Sequence, residues 1–248
     1  MIILSILFFI TAILYSSVGF GGGSTYLALL LIWDVPYLIF PIIALLCNII
    51  VVSGNSFNYI RAGNHNFKLL LPFLIGSVPL AFLGGTLKID KDIFDILLFF
   101  VLSIAGFLLL INNKSYENNN SIVKRLNFII SLIIGSVLGL ISGIVGIGGG
   151  IFLSPILFLL KAEKPKIIVT TASLFILINS ISGILGQLTK ENILIELSNY
   201  IPLFICVFIG GLLGNYLNLK IFTSRVLAII TSLLVIFVSI RMGIKIFF

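Results

Sequence analysis

Val18-Gly-Phe-Gly-Gly-Gly-Ser24 and Val145-Gly-Ile-Gly-Gly-Gly-Ile151 are two copies of one glycine-rich string, 127 positions apart. Each lies near the middle of an apolar stretch, residues 2–33 and 126–160. More than thirty residues of unbroken helix would run about 50 Å, well beyond a hydrocarbon core of about 30 Å. Glycine weakens a helix and leaves the backbone open to close approach. The strings therefore predict a helical arm, a break, and a shorter arm that folds back. Lipid tolerates such a break only where protein buries it or where it lines a cavity. Matching breaks in two halves of a chain mark the binding site of a transporter module.

The rest of the chain has the same character. Of its 248 residues, 60% are hydrophobic and 9% are charged, whereas soluble domains carry about 25% charged residues. Further apolar stretches run over residues 36–60, 69–87, 93–111, 166–188, 198–219 and 222–247. The expectation is an all-α polytopic membrane protein with no sizeable soluble domain. The net charge of +7 is spread over segment ends, where it faces headgroups and sets topology. It is no nucleic-acid footprint. Cys47 and Cys206 sit inside apolar stretches, with no CxxC and no metal-ligand spacing; no cofactor and no metal is expected. The first stretch lacks a basic flank and a small-residue cleavage site, and reads as a retained segment rather than a signal peptide.

Two homologous halves emerge. Pro36 follows the first broken stretch and Pro165 the second, and Ser53-Gly54 and Ser182-Gly183 each begin 17 residues after those prolines. Glycines recur in the third segment of each half, at Gly84-Gly85 and at Gly210, Gly211 and Gly214. The expected organisation is a first transmembrane repeat over 1–111, a polar linker over 112–125 and a second repeat over 126–248, each repeat a Gly-broken fold-back helix followed by three transmembrane helices. If both broken stretches crossed once, the fifteen Lys and Arg would divide seven to eight; if both fold back, ten collect on one side, including Arg61, Lys68, Lys161 and Lys164, and five on the other, including Lys88 and Lys190. Basic loops stay in the cytoplasm. The asymmetric division favours an inverted repeat with both termini outside.

The glycine strings also carry the chemistry. A helix that begins in mid-membrane points unpaired amides and a partial positive charge along its axis, and amides in a tight turn cradle anions. One such string alone reads as close helix packing; two, in overlong stretches, read as a site. The candidate binding residues are Gly19, Gly21, Gly22, Gly23 and Ser24 at the first string and Gly146, Gly148, Gly149 and Gly150 at the second. Ser24 stands where it could cap the second arm or meet a ligand oxygen. Asn48, Thr171, Ser173 and Asn179 add neutral amides and hydroxyls, which in hydrocarbon must face protein or a water-filled cavity. No Asp, Glu, Lys or Arg lies deep in a stretch. That argues against a cation held by charge pairing and fits an anion held by amides. His65 lies in a polar joint and reads as solvated surface. Gly135, Gly139 and Gly143, four apart, read as a helix contact face. Enzymatic readings are poor, because no serine–histidine pair, carboxylate pair or zinc ligand set is available at depth.

At these residues the chain resembles the sulfite exporter TauE/SafE family of bacterial and archaeal membrane proteins. The likeness lies in Gly19-Phe-Gly-Gly-Gly23, in Gly146-Ile-Gly-Gly-Gly-Ile-Phe-Leu-Ser-Pro155, in Ala172-Ser173 through Ser182-Gly183, and in Tyr59-Ile-Arg-Ala-Gly63 with Asn66-Phe-Lys68. The resemblance implies a multi-pass protein of a prokaryotic plasma membrane that transports small anions such as sulfite or organosulfonates. The chain departs from the pattern at Thr25-Tyr26-Leu27-Ala28, which lacks a counterpart of Pro155, and at Gln187, where relatives often carry histidine. The implied partners are a small anionic substrate and the lipid bilayer, with no nucleic acid; assembly into a homo-oligomer stays open. A passive anion channel and a non-transporting membrane subunit are the alternatives.

Overall fold

A computed structural model describes residues 1–111, 126–190, 197–217 and 224–247. The expected linker over 112–125 lies outside these residues. The described chain is all-helical: α1 (Ile2–Val18), α2 (Gly23–Ile32), α3 (Phe40–Arg61, led in by a 3-10 turn, Tyr37–Ile39), α4 (Phe67–Thr86), α5 (Lys91–Ile111), α6 (Phe128–Val145), α7 (Gly150–Leu159), α8 (Pro165–Gln187), α9 (Ile201–Leu217) and α10 (Ser224–Phe247). No strand occurs among the described residues.

Among the described residues, five segments are long and apolar enough to cross a membrane: Tyr37–Arg61, Phe67–Thr86, Phe128–Val145, Pro165–Gln187 and Ser198–Tyr216. Their outward faces are greasy; Leu71 and Ile75 on α4, and Ile129, Ile133 and Val137 on α6, are all more than half exposed. In water such a surface would aggregate; in lipid it is solvated. Polar side chains turn inward instead, and Asn48, Asn179, Ser173, Ser180 and Gln187 are fully buried.

Small residues set the packing. A Cβ built on Gly135, Gly139 or Gly143 of α6 would meet the backbone of Phe73, Ser77 or Ala81 of α4, so backbones touch where only glycine fits. The partners advance together, so α4 and α6 run parallel. Gly186 meets Phe82, and Ser182 Oγ donates to the Val78 carbonyl at 2.6 Å; α8 is parallel to α4 as well. On the other flank Gly210 meets Phe9 and Gly214 meets Ile13, and Ser16 Oγ donates to the Gly211 carbonyl at 2.7 Å. Helices α1 and α9 are therefore parallel. Gly211 approaches Val51, and Asn58 Nδ2 donates to Asn215 Oδ1 at 2.9 Å, which makes α3 parallel to α9. Helices α3 and α8 cross in opposite senses, with Leu45 beside Gly183 and Ser56 beside Ser173. Helices α5 and α10 are antiparallel too: Gly106 faces Ile236 and Gly243 faces Phe99.

Candidate functional site

Both glycine strings interrupt a helix in the same way. Helix α1 ends where Gly19 takes a left-handed conformation, φ 86°, and its N–H bonds the Tyr15 carbonyl. Helix α6 ends at Gly146, φ 87°, whose N–H bonds the Ser142 carbonyl at 2.8 Å. Only glycine adopts this conformation without strain, and it closes a helix by satisfying its last carbonyls. The next helices begin from Gly22 and Gly149, both left-handed again at φ 86° and 74°. Helices α2 and α7 have ten residues each, about 15 Å, half a membrane. Their first amides have no intrahelical acceptor.

The two interruptions meet at Asn48. A Cβ on Gly21 would collide with the Asn48 carboxamide oxygen. A Cβ on Gly23 would lie 2.6 Å from the Ile147 carbonyl and 2.8 Å from Asn48 Nδ2, and one on Gly148 would lie 2.7 Å from the same nitrogen. Asn48 Nδ2 donates across to the Ile147 carbonyl at 3.2 Å. One carboxamide from α3 thus stands between both strings and ties its own half to the second. Gly150 packs on Ile176 of α8, which also neighbours Gly21 and Gly148, and Ser180, one turn on, lies beside Gly148.

The remaining candidates divide. Gly22 rests on the rings of Tyr15 and Tyr26, and Gly149 on the ring of Phe175. Gly19 faces the Tyr59 hydroxyl, and Gly146 faces the Pro41 backbone. Ser24 is not a cap. Gly22 holds the N-cap position with no side-chain cap bond, and Ser24 falls one residue inside the helix, buried with its hydroxyl unpartnered. Asn179 Nδ2 donates to the Phe175 carbonyl at 2.9 Å, one turn back on α8, and its Oδ1 has no partner. Thr171 Oγ1 donates to the Ile167 carbonyl of its own helix at 2.8 Å. Ser173 pairs with Ser56 at 3.1 Å, joining α8 to α3. His65 is only half-exposed; its ring lies 4.8 Å from that of Phe67, and its Nδ1 is buried without a partner.

Sequence reasoning placed Ser180 among the polar residues of its segment but not at the break, and it did not single out Ile176 or the Tyr15–Thr25 hydrogen bond of 2.7 Å that spans the first break. The spacing of Ile176 and Ser180, four apart on α8, was the available signal.

The buried interior around the breaks is neutral and holds oriented dipoles. No charged side chain is buried among the described residues, yet Ser24 Oγ, Tyr26 OH, Asn48 Oδ1, Asn179 Oδ1 and Ser180 Oγ are buried without protein partners. Each such atom costs about 1–3 kcal/mol unless something satisfies it.

Comparison with known proteins decides the family. The chain matches the family described as Sulfite exporter TauE/SafE over residues 4–242. It belongs to that family. A "Probable membrane transporter protein" of Sinorhizobium fredii, y4hK, is similar at 26% identity over 93% of each chain. Another of that description from Bacillus subtilis, YunE, is similar at 22% identity over 95% of this chain and 94% of its own. No solved structure matches. The chain is thus a multi-pass membrane transporter of the TauE/SafE type.

Proposed function

We propose that this TauE/SafE protein carries a small anion, a sulfite-like oxyanion or an organosulfonate, across a prokaryotic plasma membrane by alternating access, and that it performs no chemical conversion. The observation that carries the reading is the meeting of both helix breaks at Asn48. Helices α2 and α7 begin there, and each N-terminus contributes about half a positive charge. The opposing carbonyl ends of α1 and α6 are closed by Gly19 and Gly146, which face Tyr59 and Pro41 rather than Asn48. The pocket is thereby biased toward negative charge with no fixed cation. Gly19, Gly21, Gly22, Gly23 and Ser24 with Gly146, Gly148, Gly149 and Gly150 form its backbone, and Asn48, Thr171, Ser173 and Asn179 are its side-chain candidates. Asn48 is fully buried, which suits a sealed carrier intermediate better than an open pore.

The helix directions support an inverted repeat. Helices α1, α3 and α9 run one way and α4, α6 and α8 the other, so the short helices α2 and α7 take the chain back. Exchanging the halves also exchanges the contacts: α4 packs on α6 as α9 packs on α1, α4 on α8 as α9 on α3, and α7 on α5 as α2 on α10. Residues 1–111 and 126–248 are then two rocking units around one site.

Counterflow in proteoliposomes, run against sulfite, sulfonates and carboxylates, tests the reading. Saturable exchange of at least one sulfur oxyanion is expected. Flux that rises linearly without saturating would mean passive conduction, and no flux for any anion would remove the transport reading. Topology has its own test: in a cysteine-free background, Ala62→Cys should label only from the cytoplasm and Asp92→Cys only from outside.

A further inference from the structure

A second polar place lies away from Asn48. A pocket of about 400 Å³ opens at the end of the bundle where α4 stops and α3 starts, and Lys88 and Lys190 both line it. Like charges gathered in a half-closed space repel, and nothing in the packing of α4 against α8 requires them there. Lys190 is held in place. Its Nζ donates to Gln187 Oε1 at 2.9 Å, and Gln187 Nε2 donates to the Gly143 carbonyl at 2.8 Å. Gln187, the last residue of α8, is fully buried, so a carboxamide anchored on the last turn of α6 aims this ammonium. Burial, then the neighbouring Lys88, lowers the Lys190 pKa to about 8.

The other titratable groups of the lining are Asp90, from the α4–α5 joint, and Tyr37, which precedes α3; α6 contributes only Ile144. With both lysines protonated the lining carries one net positive charge. Its inner wall includes Pro41 and Ile144. Pro41 is also the backbone against which Gly146 packs, so a single residue separates this pocket from the second glycine break.

We propose that the Lys88–Lys190 pocket is an antechamber that binds a small oxyanion, with Pro41 against Gly146 as the closed door between it and the Asn48 site. The assignment rests on the anion-carrier reading. An anion arriving here relieves the repulsion between the two ammonium groups, is desolvated in part, and waits next to the break. Basic groups at the mouth also concentrate anions from solution. Binding weakens as pH rises through about 8, because Lys190 then gives up its proton.

The test reads binding without transport. Purified full-length protein is pulsed with acetic anhydride at pH 7.5, with sodium sulfate or with sodium chloride at equal ionic strength, and each lysine is followed by mass spectrometry. A bound sulfate that raises the Lys190 pKa by about one unit slows its acetylation roughly tenfold. Lys68, at the opposite end of the bundle, should not respond. The protection should be lost in Lys88→Gln and kept in Asn48→Leu. Equal sulfate sensitivity of Lys190 and Lys68, or protection that survives Lys88→Gln, overturns the antechamber. Protection of Lys190 in a protein that shows no anion flux in liposomes would instead leave the antechamber standing and remove the carrier reading.

Discussion

The two breaks share a backbone and differ in chemistry. Both stop a long helix at a left-handed glycine and restart a ten-residue helix from another. The first is surrounded by polar atoms: Tyr59 OH beside Gly19, the Tyr15–Thr25 hydrogen bond across it, and the Asn48 carboxamide against Gly21 and Gly23. The second is wedged mainly against backbone and hydrocarbon, Pro41 at Gly146, Phe175 at Gly149 and Ile176 at Gly150, and meets polar side chains at Gly148, beside Asn48 Nδ2 and Ser180 Oγ. It also needs a third left-handed glycine, Gly148, φ 81°. The two strings share the backbone course of the break while their side-chain surroundings differ. On the anion-carrier reading both breaks face the shared Asn48 carboxamide, the first with the more polar surroundings.

That contrast can be attacked with single methyl groups. The largest effect is expected at Gly146→Ala. The left-handed conformation costs about 1–2 kcal/mol in any residue with a Cβ, and the new methyl meets unyielding Pro41 backbone. Purified variant should lose its thermal transition or fail to purify as a monodisperse species. Gly19→Ala carries the same conformational cost, but its methyl meets the tip of a tyrosine that can swing aside. It should fold, with stability lowered by about 1–2 kcal/mol. Equal damage at both positions would erase the distinction between a yielding and an unyielding neighbour.

Next in size is flux. Gly23→Ala pushes on the Ile147 carbonyl and Asn48, whereas Gly150→Ala meets mainly the flexible end of Ile176. Displacing a positioned group by about 1 Å costs on the order of a hundredfold, so Gly23→Ala should lower counterflow about a hundredfold. Gly150→Ala should lower it about tenfold or less by the same reasoning. The smallest effect is the clearest control. Tyr15→Phe removes the bond to Thr25 and should cost about 1 kcal/mol in unfolding. The matching positions in the second half are Ser142 and Phe152, and Ser142 Oγ is buried without a partner. Ser142→Ala should therefore be neutral or slightly stabilising.

Much of the architecture could be read from the chain because left-handed turns in lipid need glycine. Overlong apolar stretches announced the broken helices, and the four-residue rhythm of Gly135, Gly139 and Gly143 announced a helix contact face, whose partner, α4, comes from the fold. The site was legible only in part. Ser24 looked like a cap because capping residues precede helices, but Gly22 occupies that place and the helix begins one residue early. Thr171 and Asn179 each donate to a carbonyl of their own helix α8, whereas Ser173 turns to Ser56 of α3. The rotation of α8 about its axis decides this, and tertiary packing sets that rotation. The reach of Asn48 to the Ile147 carbonyl, 99 residues away in sequence, has no local signature at all. The Lys88–Lys190 pair was visible only as two basic residues on one side of the membrane; the pocket between them comes from the fold.

The central claim is that both breaks serve one anion around Asn48. Asn48→Leu keeps the size of that side chain and removes its amide. Sulfite counterflow in proteoliposomes, measured for this variant beside the wild type at matched insertion and thermal stability, tests the claim most directly. The account predicts that exchange seen with the wild type falls to the level of empty liposomes in the variant. Exchange at the wild-type rate and with the wild-type KM would contradict it.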